Sequence, residues 1–322
     1  MGAESILYEH GSKERSSDTV ETESNLFASM IVSEQPVTDA AIASHYDELD
    51  PFYRDLWGQH VHHGLWVEGD ETPEQAVRKL VELVAEKAGL QNGERVVDIG
   101  CGYGASARFL AENHGAMVTG VTMSTVQHAF AQSTTPGPEL TYILGNWYSL
   151  ELAPESFDLA IAIESGEHMP DKVEFARRAF HALRPGGRFV LCAWLAADRV
   201  PGWQADFLMK PICSEGRIPN LATAQEYIDA ANEAGFGMAD SEDLTDRVKR
   251  TWSVALRRFA GRFFQDKRYR SFLFDRSLTN RIFALTVLRI WLAYQVGAMR
   301  YRIFRFDKLA ARAVAATGPR DR

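Results

Sequence analysis

Apolar positions along the chain change their rhythm several times. Up to residue 38 the chain is polar and acidic without any apolar period, so it reads as a mobile tail, and it lacks the apolar run of a secretion signal. Ala40 to Leu56 carries apolar residues at helical spacing, and Trp57 to Trp66 follows as a connector dense in rings and histidines. Thr72, Pro73 and Glu74 read as the cap and first turn of a helix reaching about Lys87. From Arg95 the pattern shortens. Arg95–Ile99, Met117–Val121, Leu140–Leu144, Phe157–Ile163 and Arg188–Trp194 are apolar runs of strand length. Helical stretches separate them: Ala105–Asn113, a segment capped by Ser124 and ending near Ser133, and Lys172–Leu183, stopped by Arg184-Pro185-Gly186-Gly187.

Buried strands alternating with helices specify a mostly parallel sheet covered on both faces. After Trp194 the alternation breaks. A helix over Ala222–Ala234 ends at Gly235, and Phe236–Asp240 is strand-like. Residues 245–298 are mostly helical, and Met299–Phe306 alternates as a strand that would close the sheet. The expected architecture is α/β, a doubly wound, mostly parallel seven-stranded sheet with N-terminal helices and a C-terminal helical cap. The divisions are a tail (1–38), a core with lid helices (39–244), a substrate cap (245–298), and a closing strand with its tail (299–322).

Composition narrows the class. With 322 residues, 46% hydrophobic and 24% charged, the chain can bury a large core, which excludes collagen-like and wholly disordered classes. Three scattered cysteines (Cys101, Cys192, Cys213) make neither a disulfide framework nor a structural zinc site, and suit a reducing cytoplasm. The longest apolar stretch, Ile282–Met299, contains Arg289 and falls short of a membrane span. The net charge of −8 hides a basic quarter, for Arg247–Phe306 holds 15 Lys and Arg against Asp266 and Asp275. An acidic chain with one basic segment does not fit a nucleic-acid binder. That segment fits a solvated helix surface, a site for an anionic substrate, or a peripheral contact with an acidic membrane; self-association stays open.

The strongest local pattern is Val96-Val97-Asp98-Ile99-Gly100-Cys101-Gly102-Tyr103-Gly104, a buried strand entering a glycine turn that opens a helix. Such a turn lies at the carboxyl end of the sheet, where ligands bind. The spacing is GxGxG rather than the dinucleotide GxGxxG, and it follows an acid. Asp98 would repel a pyrophosphate and would suit an ammonium group. S-Adenosylmethionine has an amino-acid end and a sulfonium but no phosphate.

With these residues in view, the sequence resembles the class I methyltransferases with a Rossmann-like core, and within them the gamma-tocopherol methyltransferase group. The resemblance lies in SHYDELDPFYRDLWGQHVHHGLW (44–66), VVDIGCGYG (96–104), VTGVTMSTVQ (118–127), ESGEHMPDK (164–172) and LRPGGRF (183–189), and it fades beyond 240. It implies S-adenosylmethionine as cofactor, with Asp98, Gly100, Cys101, Gly102 and Gly104 around its methionine end. Thr122, Met123 and Gln127 fall after the second strand, and Asn146 and Trp147 fall at the adenine. Tyr46 and Trp66 resemble an aromatic lid; His63, Gly64 and Glu164 line the same pocket. The neighbouring His60, His62 and His63 belong to the motif, and no metal is expected.

Transfer from a sulfonium to a hydroxyl needs alignment, exclusion of water and a base. Glu164-Ser165-Gly166-Glu167-His168-Met169 leaves the Phe157–Ile163 strand at the same end of the sheet. His168 is the favoured base, oriented by a neighbouring carboxylate; Glu167 and Glu164 are the other candidates. A brace for the loop is the competing reading of His168. The acceptor expected is a small, largely apolar molecule, methylated on a phenolic or other hydroxyl oxygen. Carbon methylation of an isoprenoid or prenyl diphosphate, with cap arginines on the diphosphate, is the alternative, followed by N-methylation of a small amine.

Overall fold

The computed structural model describes residues 27–28, 30–134, 137–275 and 282–309, with backbone alone for Phe27, Ala28, Phe283 and Ala284. Most of the expected tail, and residues 310–322 of the expected final segment, lie outside the described residues.

Seven strands form the central sheet: β1 (Arg95–Ile99), β2 (Met117–Thr122), β3 (Leu140–Leu144), β4 (Phe157–Ile163), β5 (Leu183–Ala196), β6 (Gly237–Asp243) and β7 (Met299–Asp307). Their order is β6-β7-β5-β4-β1-β2-β3. The first five run parallel, and β7 is antiparallel to both its neighbours. The central strands read as continuous apolar runs because both faces are covered. Val96 packs in one layer with Leu80 and Leu110, while Val97 and Ile99 pack in the other with Phe175 and Phe189. Strand order reverses between β1 and β4, so a crevice opens at their carboxyl ends.

The helices are α1 (Asp39–Trp57), α2 (Pro73–Ala88), α3 (Ala105–His114), α4 (Thr125–Ser133), α5 (Lys172–Ala182), α6 (Lys210–Glu215), α7 (Ala224–Glu233), α8 (Arg250–Gln265), α9 (Lys267–Phe274) and α10 (Phe283–Gln295). Thr72 caps α2 in a reciprocal box with Gln75, and Thr223 does the same for α7 with Glu226. α7 therefore starts two residues later than its apolar pattern suggests.

Two other boundaries differ from the sequence reading for tertiary reasons. β5 begins at Leu183, upstream of the Pro-Gly-Gly punctuation, because Gly186 N–H donates to Lys308 O and Lys308 N–H to Gly187 O. Pairing with the end of β7 holds a turn-like sequence in the sheet. β6 runs to Asp243 as a largely exposed edge strand, where burial leaves little apolar signature. Residues 202–215, unassigned from the sequence, are helical with a π-turn at Ala205–Met209.

α1 is fastened across the crevice from two sides. Asp47 accepts from Ser124 Oγ (2.5 Å), Thr125 Oγ1 (3.2 Å) and Val126 N (3.3 Å), so it adds to the cap of α4. Asp50 accepts from Tyr103 Oη at 2.7 Å, linking α1 to the glycine turn. Lost capping typically costs about 1 kcal/mol. Asp47→Ala should therefore lower unfolding free energy by about that amount, and should weaken cofactor affinity as α1 loosens. Denaturant titration and calorimetry with S-adenosylhomocysteine check the two effects.

Candidate active site

The three glycines of the turn meet different demands. Gly100 (φ 82°) lies so close to Ser165 that a Cβ would stand 2.3 Å from the serine Cβ. Gly104 (φ 72°) presses against the Tyr142 ring in the same way, while a Cβ on Gly102 would meet open space in the crevice. Cys101 turns away into the apolar layer, where burial raises its thiol pKa. Asp98 is buried one residue short of the crevice wall, and its Oδ2 has no hydrogen-bond partner. Burial raises its pKa to about 7.

The crevice holds about 800 Å³ and is lined by Gly100, Gly102, Thr122, Met123, Gln127, Asn146 and Trp147, together with Tyr46, Glu164 and His168. Thr122 Oγ1 donates to Gln127 Oε1 at 3.1 Å, which fixes the amide side chain. Asn146 is already committed: Oδ1 accepts from Tyr148 N at 2.7 Å and Nδ2 donates to Asp39 Oδ2 at 2.5 Å. Only a second lone pair remains for an adenine amine. Asp39 and Tyr148 also line the crevice and carry no motif that marks them in the sequence; Ser165 lines it too, from within the 164–172 motif.

Gly64 and Trp66 are not brought to this crevice. A Cβ on Gly64 would stand 2.7 Å from that of Ala76, so the glycine serves close packing on α2. Trp66 is buried under Arg250, whose guanidinium lies 4.5 Å from the ring centroid, and its Nε1 points to Thr251. The lid role expected of Trp66 is thus unfilled, while Tyr46 does line the crevice.

Behind Tyr46 a second pocket of about 740 Å³ opens, and Tyr46, Val61, Glu164 and His168 belong to both walls. Trp57, Trp194, Trp252, Ile218, Val287 and Ile290 make its lining mainly apolar. α10 and α8 of the cap supply several of these residues. No Lys or Arg lines it among the described residues; Glu164, Glu167 and Glu215 do. Among the described cap arginines, Arg258 and Arg268 pair away from this pocket, while Arg289 neutralises its Glu215 from outside. Arg258 pairs with Glu74, Arg268 with Asp55 and Asp266, and Arg289 with Glu215. Their described contacts fit the surface reading of the basic quarter.

Glu164 (φ 55°) holds a sparsely populated backbone conformation at the end of β4. Its carboxylate accepts four bonds: His63 N (2.7 Å), His63 Nδ1 (2.9 Å), Trp194 Nε1 (2.7 Å) and Tyr301 Oη (2.8 Å). Burial opposes its ionisation, but the His63 ring and these hydrogen bonds outweigh that, and its pKa is lowered. Trp252 Nε1 donates to His63 Nε2 at 2.6 Å, so the proton of His63 is on Nδ1. His63 is a brace for Glu164 on the second pocket, rather than a liner of the cofactor crevice.

His168 ends a 3₁₀ turn, Gly166–His168. Its Nδ1–H donates to the Arg217 carbonyl at 3.0 Å, so Nε2 carries the lone pair and accepts from Tyr46 Oη at 2.8 Å. The orienting group is a backbone carbonyl, not the carboxylate expected from the sequence, and Arg217 (φ 55°) is another non-glycine residue with positive φ. Burial lowers the His168 pKa to about 4 and keeps the ring neutral. Glu167 is buried too, which raises its pKa. In the histidine trio, His60 Nδ1 lies 3.2 Å from His62 Nε2, and His62 Nδ1–H donates to His63 O at 2.8 Å. Among the described residues no group of three or more potential ligands is placed to hold a metal, and no helix is long and apolar enough to cross a membrane.

This sheet order, with a glycine crevice at its switch point and an apolar pocket joined to it, defines a class I S-adenosylmethionine-dependent methyltransferase. The chain belongs to the mycolic acid cyclopropane synthetase family, whose model matches residues 34–295. It is 31% identical over 228 residues to a 27-O-demethylrifamycin SV methyltransferase of Amycolatopsis mediterranei, covering 70% of this chain and 84% of that protein. It is 28% identical over 238 residues to the chloroplastic tocopherol O-methyltransferase of Arabidopsis thaliana, covering 67% and 68%. In fold it matches a cyclopropane synthase of Mycobacterium tuberculosis with a TM-score of 0.75 and 22% identity, over 86% of this chain and all (100%) of that one.

The crevice fits this cofactor. Asp98 Oδ2 lacks the partner that an ammonium group would provide, and the open face of Gly102 leaves room for a ligand against the backbone. An ammonium ligand selects the ionised carboxylate. Affinity should then be full above about pH 7 and should fall towards tenfold per pH unit below it, as protons must leave Asp98 before binding. Calorimetry with S-adenosylhomocysteine between pH 5.5 and 8 measures the slope, which Asp98→Asn should flatten while weakening binding throughout.

Proposed function

We propose that the enzyme methylates a hydroxyl oxygen, phenolic by preference, on a small and largely apolar acceptor, with His168 as general base. The observation that carries this reading is the position of His168 Nε2, unprotonated and on the wall common to both pockets. When bound, S-adenosylmethionine supplies an electrophilic methyl group on its sulfonium. Asp98, Gly100 and Gly102 bind the amino-acid end; Thr122, Met123, Gln127, Asn146 and Trp147 line the remainder. The rings of Trp57, Trp194 and Trp252 exclude water from the acceptor. His168 Nε2 takes the hydroxyl proton, and Arg217 O holds the imidazole in the required tautomer. Tyr46, now bonded to Nε2, must release it so that the acceptor hydroxyl can take its place.

Carbon methylation of an isoprenoid is the second reading, supported by the aromatic lining, whose ring faces suit a developing positive charge. Its diphosphate form loses support because no described Lys or Arg lines the second pocket. Labelled-methyl assays on phenols, isoprenoid alkenes, prenyl diphosphates and amines separate these readings. Label on oxygen is expected; label on carbon or nitrogen alone overturns the proposal.

General base removal costs about 10²–10⁴-fold. His168→Ala should thus lower kcat on a phenol by about that factor, with S-adenosylhomocysteine affinity kept within about twofold because Asp98 and the glycine turn are intact. Undiminished turnover would remove His168 from the role. Because the His168 pKa is lowered to about 4, turnover at saturating cofactor should show no acid limb near the usual histidine value of about 6.5.

A further inference from the structure

Among the described residues lining the second pocket, Glu167 has a buried carboxyl oxygen without a hydrogen-bond partner. Of its acids, Glu164 is saturated, and Glu215 accepts from Thr286 Oγ1 at 2.7 Å and pairs with Arg289. Of its histidines, His45 Nε2 meets Tyr53 Oη at 3.0 Å, and His62, His63 and His168 are engaged as described. Glu167 differs. Its side chain is 2% exposed, Oε1 accepts from Trp194 N, and Oε2 has no partner. Lys172 does not serve it: the ammonium points to the backbone carbonyls of Gly166 (2.9 Å) and Met169 (2.5 Å) instead of the carboxyl. A buried carboxyl oxygen without a partner is costly, of the order of 1–3 kcal/mol, unless a ligand completes it.

We propose that Glu167 Oε2 is the anchor for a second hydroxyl on the acceptor, so that the enzyme selects molecules with two oxygens, one methylated beside His168 and one held by Glu167. A hydroxyl suits this position in either protonation state of the carboxyl, since it donates to a carboxylate and accepts from a carboxylic acid. Tyr294 reinforces the argument. Its hydroxyl is buried, also lacks a partner, and lies close enough to Glu164 and Glu167 for their charges to add to the effect of burial in raising its pKa. The inference rests on the oxygen-acceptor reading above but concerns binding, not transfer.

The test uses the full chain saturated with S-adenosylhomocysteine and four ligands with one apolar body: 4-butylphenol, 4-butylcatechol, 4-butylresorcinol and butylhydroquinone. Calorimetry should show at least one dihydric ligand binding about 10-fold more tightly than 4-butylphenol, the return expected of one buried hydrogen bond. Glu167→Gln, which keeps Oε1 for Trp194 N and presents an amide, should retain part of that preference. Glu167→Leu, which also unpairs Trp194 N, should reduce that preference to about twofold or less, read as the ratio of dihydric-ligand to 4-butylphenol affinity within the same variant. A merely structural Glu167 would instead weaken all four ligands together. Equal binding of all four by the wild type, or a preference that survives in Glu167→Leu, overturns the proposal. Unchanged affinity for S-adenosylhomocysteine reports that each variant is folded. Methyl transfer to the same phenols is measured separately, so failure of oxygen methylation is distinguished from failure of the second-hydroxyl anchor.

Discussion

A single buried carboxylate organises the catalytic end of this protein. Glu164 leaves β4 in a strained conformation and collects donors from the N-terminal connector, β5 and β7, segments far apart in the chain. Four charge-assisted hydrogen bonds offset the cost of burying the charge. The donors and what they hold are thereby aimed: the Trp194 ring, and that of Trp252 through His63, line the second pocket, His63 keeps one tautomer, and Tyr301 of β7 is tied to the same group. Removal of the carboxylate would leave several buried donors unpaired together, so the pocket walls and the crevice rely on the same group.

Division of labour between the two cavities follows from this arrangement. The cofactor side is built from turns and strand ends whose backbone approaches the ligand, which is why glycines and short side chains predominate. The acceptor side is built from long side chains carried by helices outside the sheet. Tyr46 and His168 are the contact between them, hydrogen-bonded to one another across the boundary. In the proposed reaction proton transfer takes place at that boundary, and the cap contributes Trp252, Thr286, Val287 and Ile290 to the wall of the second pocket.

The sheet was legible in the sequence wherever both faces are covered. β1, β2 and β4 show as mainly apolar runs of strand length, and the glycine turn after β1 announces the crevice by itself. What stayed hidden depends on tertiary pairing. The Pro-Gly-Gly corner reads as a break until Lys308 is seen to hold it, and the exposed β6 carries little apolar pattern. At the site, Asp98, Gly100, Gly102 and His168 carried local signals; Asp50 and Tyr103 lie within the motifs but their bond to each other does not show there, and Asp39 lies outside them, because a side chain tying one element to another leaves no periodic trace. Trp66 misled for the same reason: the motif shows an aromatic residue without showing which way the ring turns, and Arg250 and Thr251 hold it elsewhere. The resemblance beyond 240 faded where the cap begins, which matches the place where pocket-lining residues come from helices and not from motif loops.

The placement of β7 bears on how the protein is made. This strand, near the end of the chain, lies between β5 and β6 and supplies Tyr301 to Glu164. During synthesis the five parallel strands emerge early and can assemble on their own helices. The β5 edge they expose stays open until β7 follows, and a nascent chain must keep β5 from pairing with a neighbour's strand for that interval. The Tyr301 bond that completes the Glu164 cluster therefore forms only after β7 has been made.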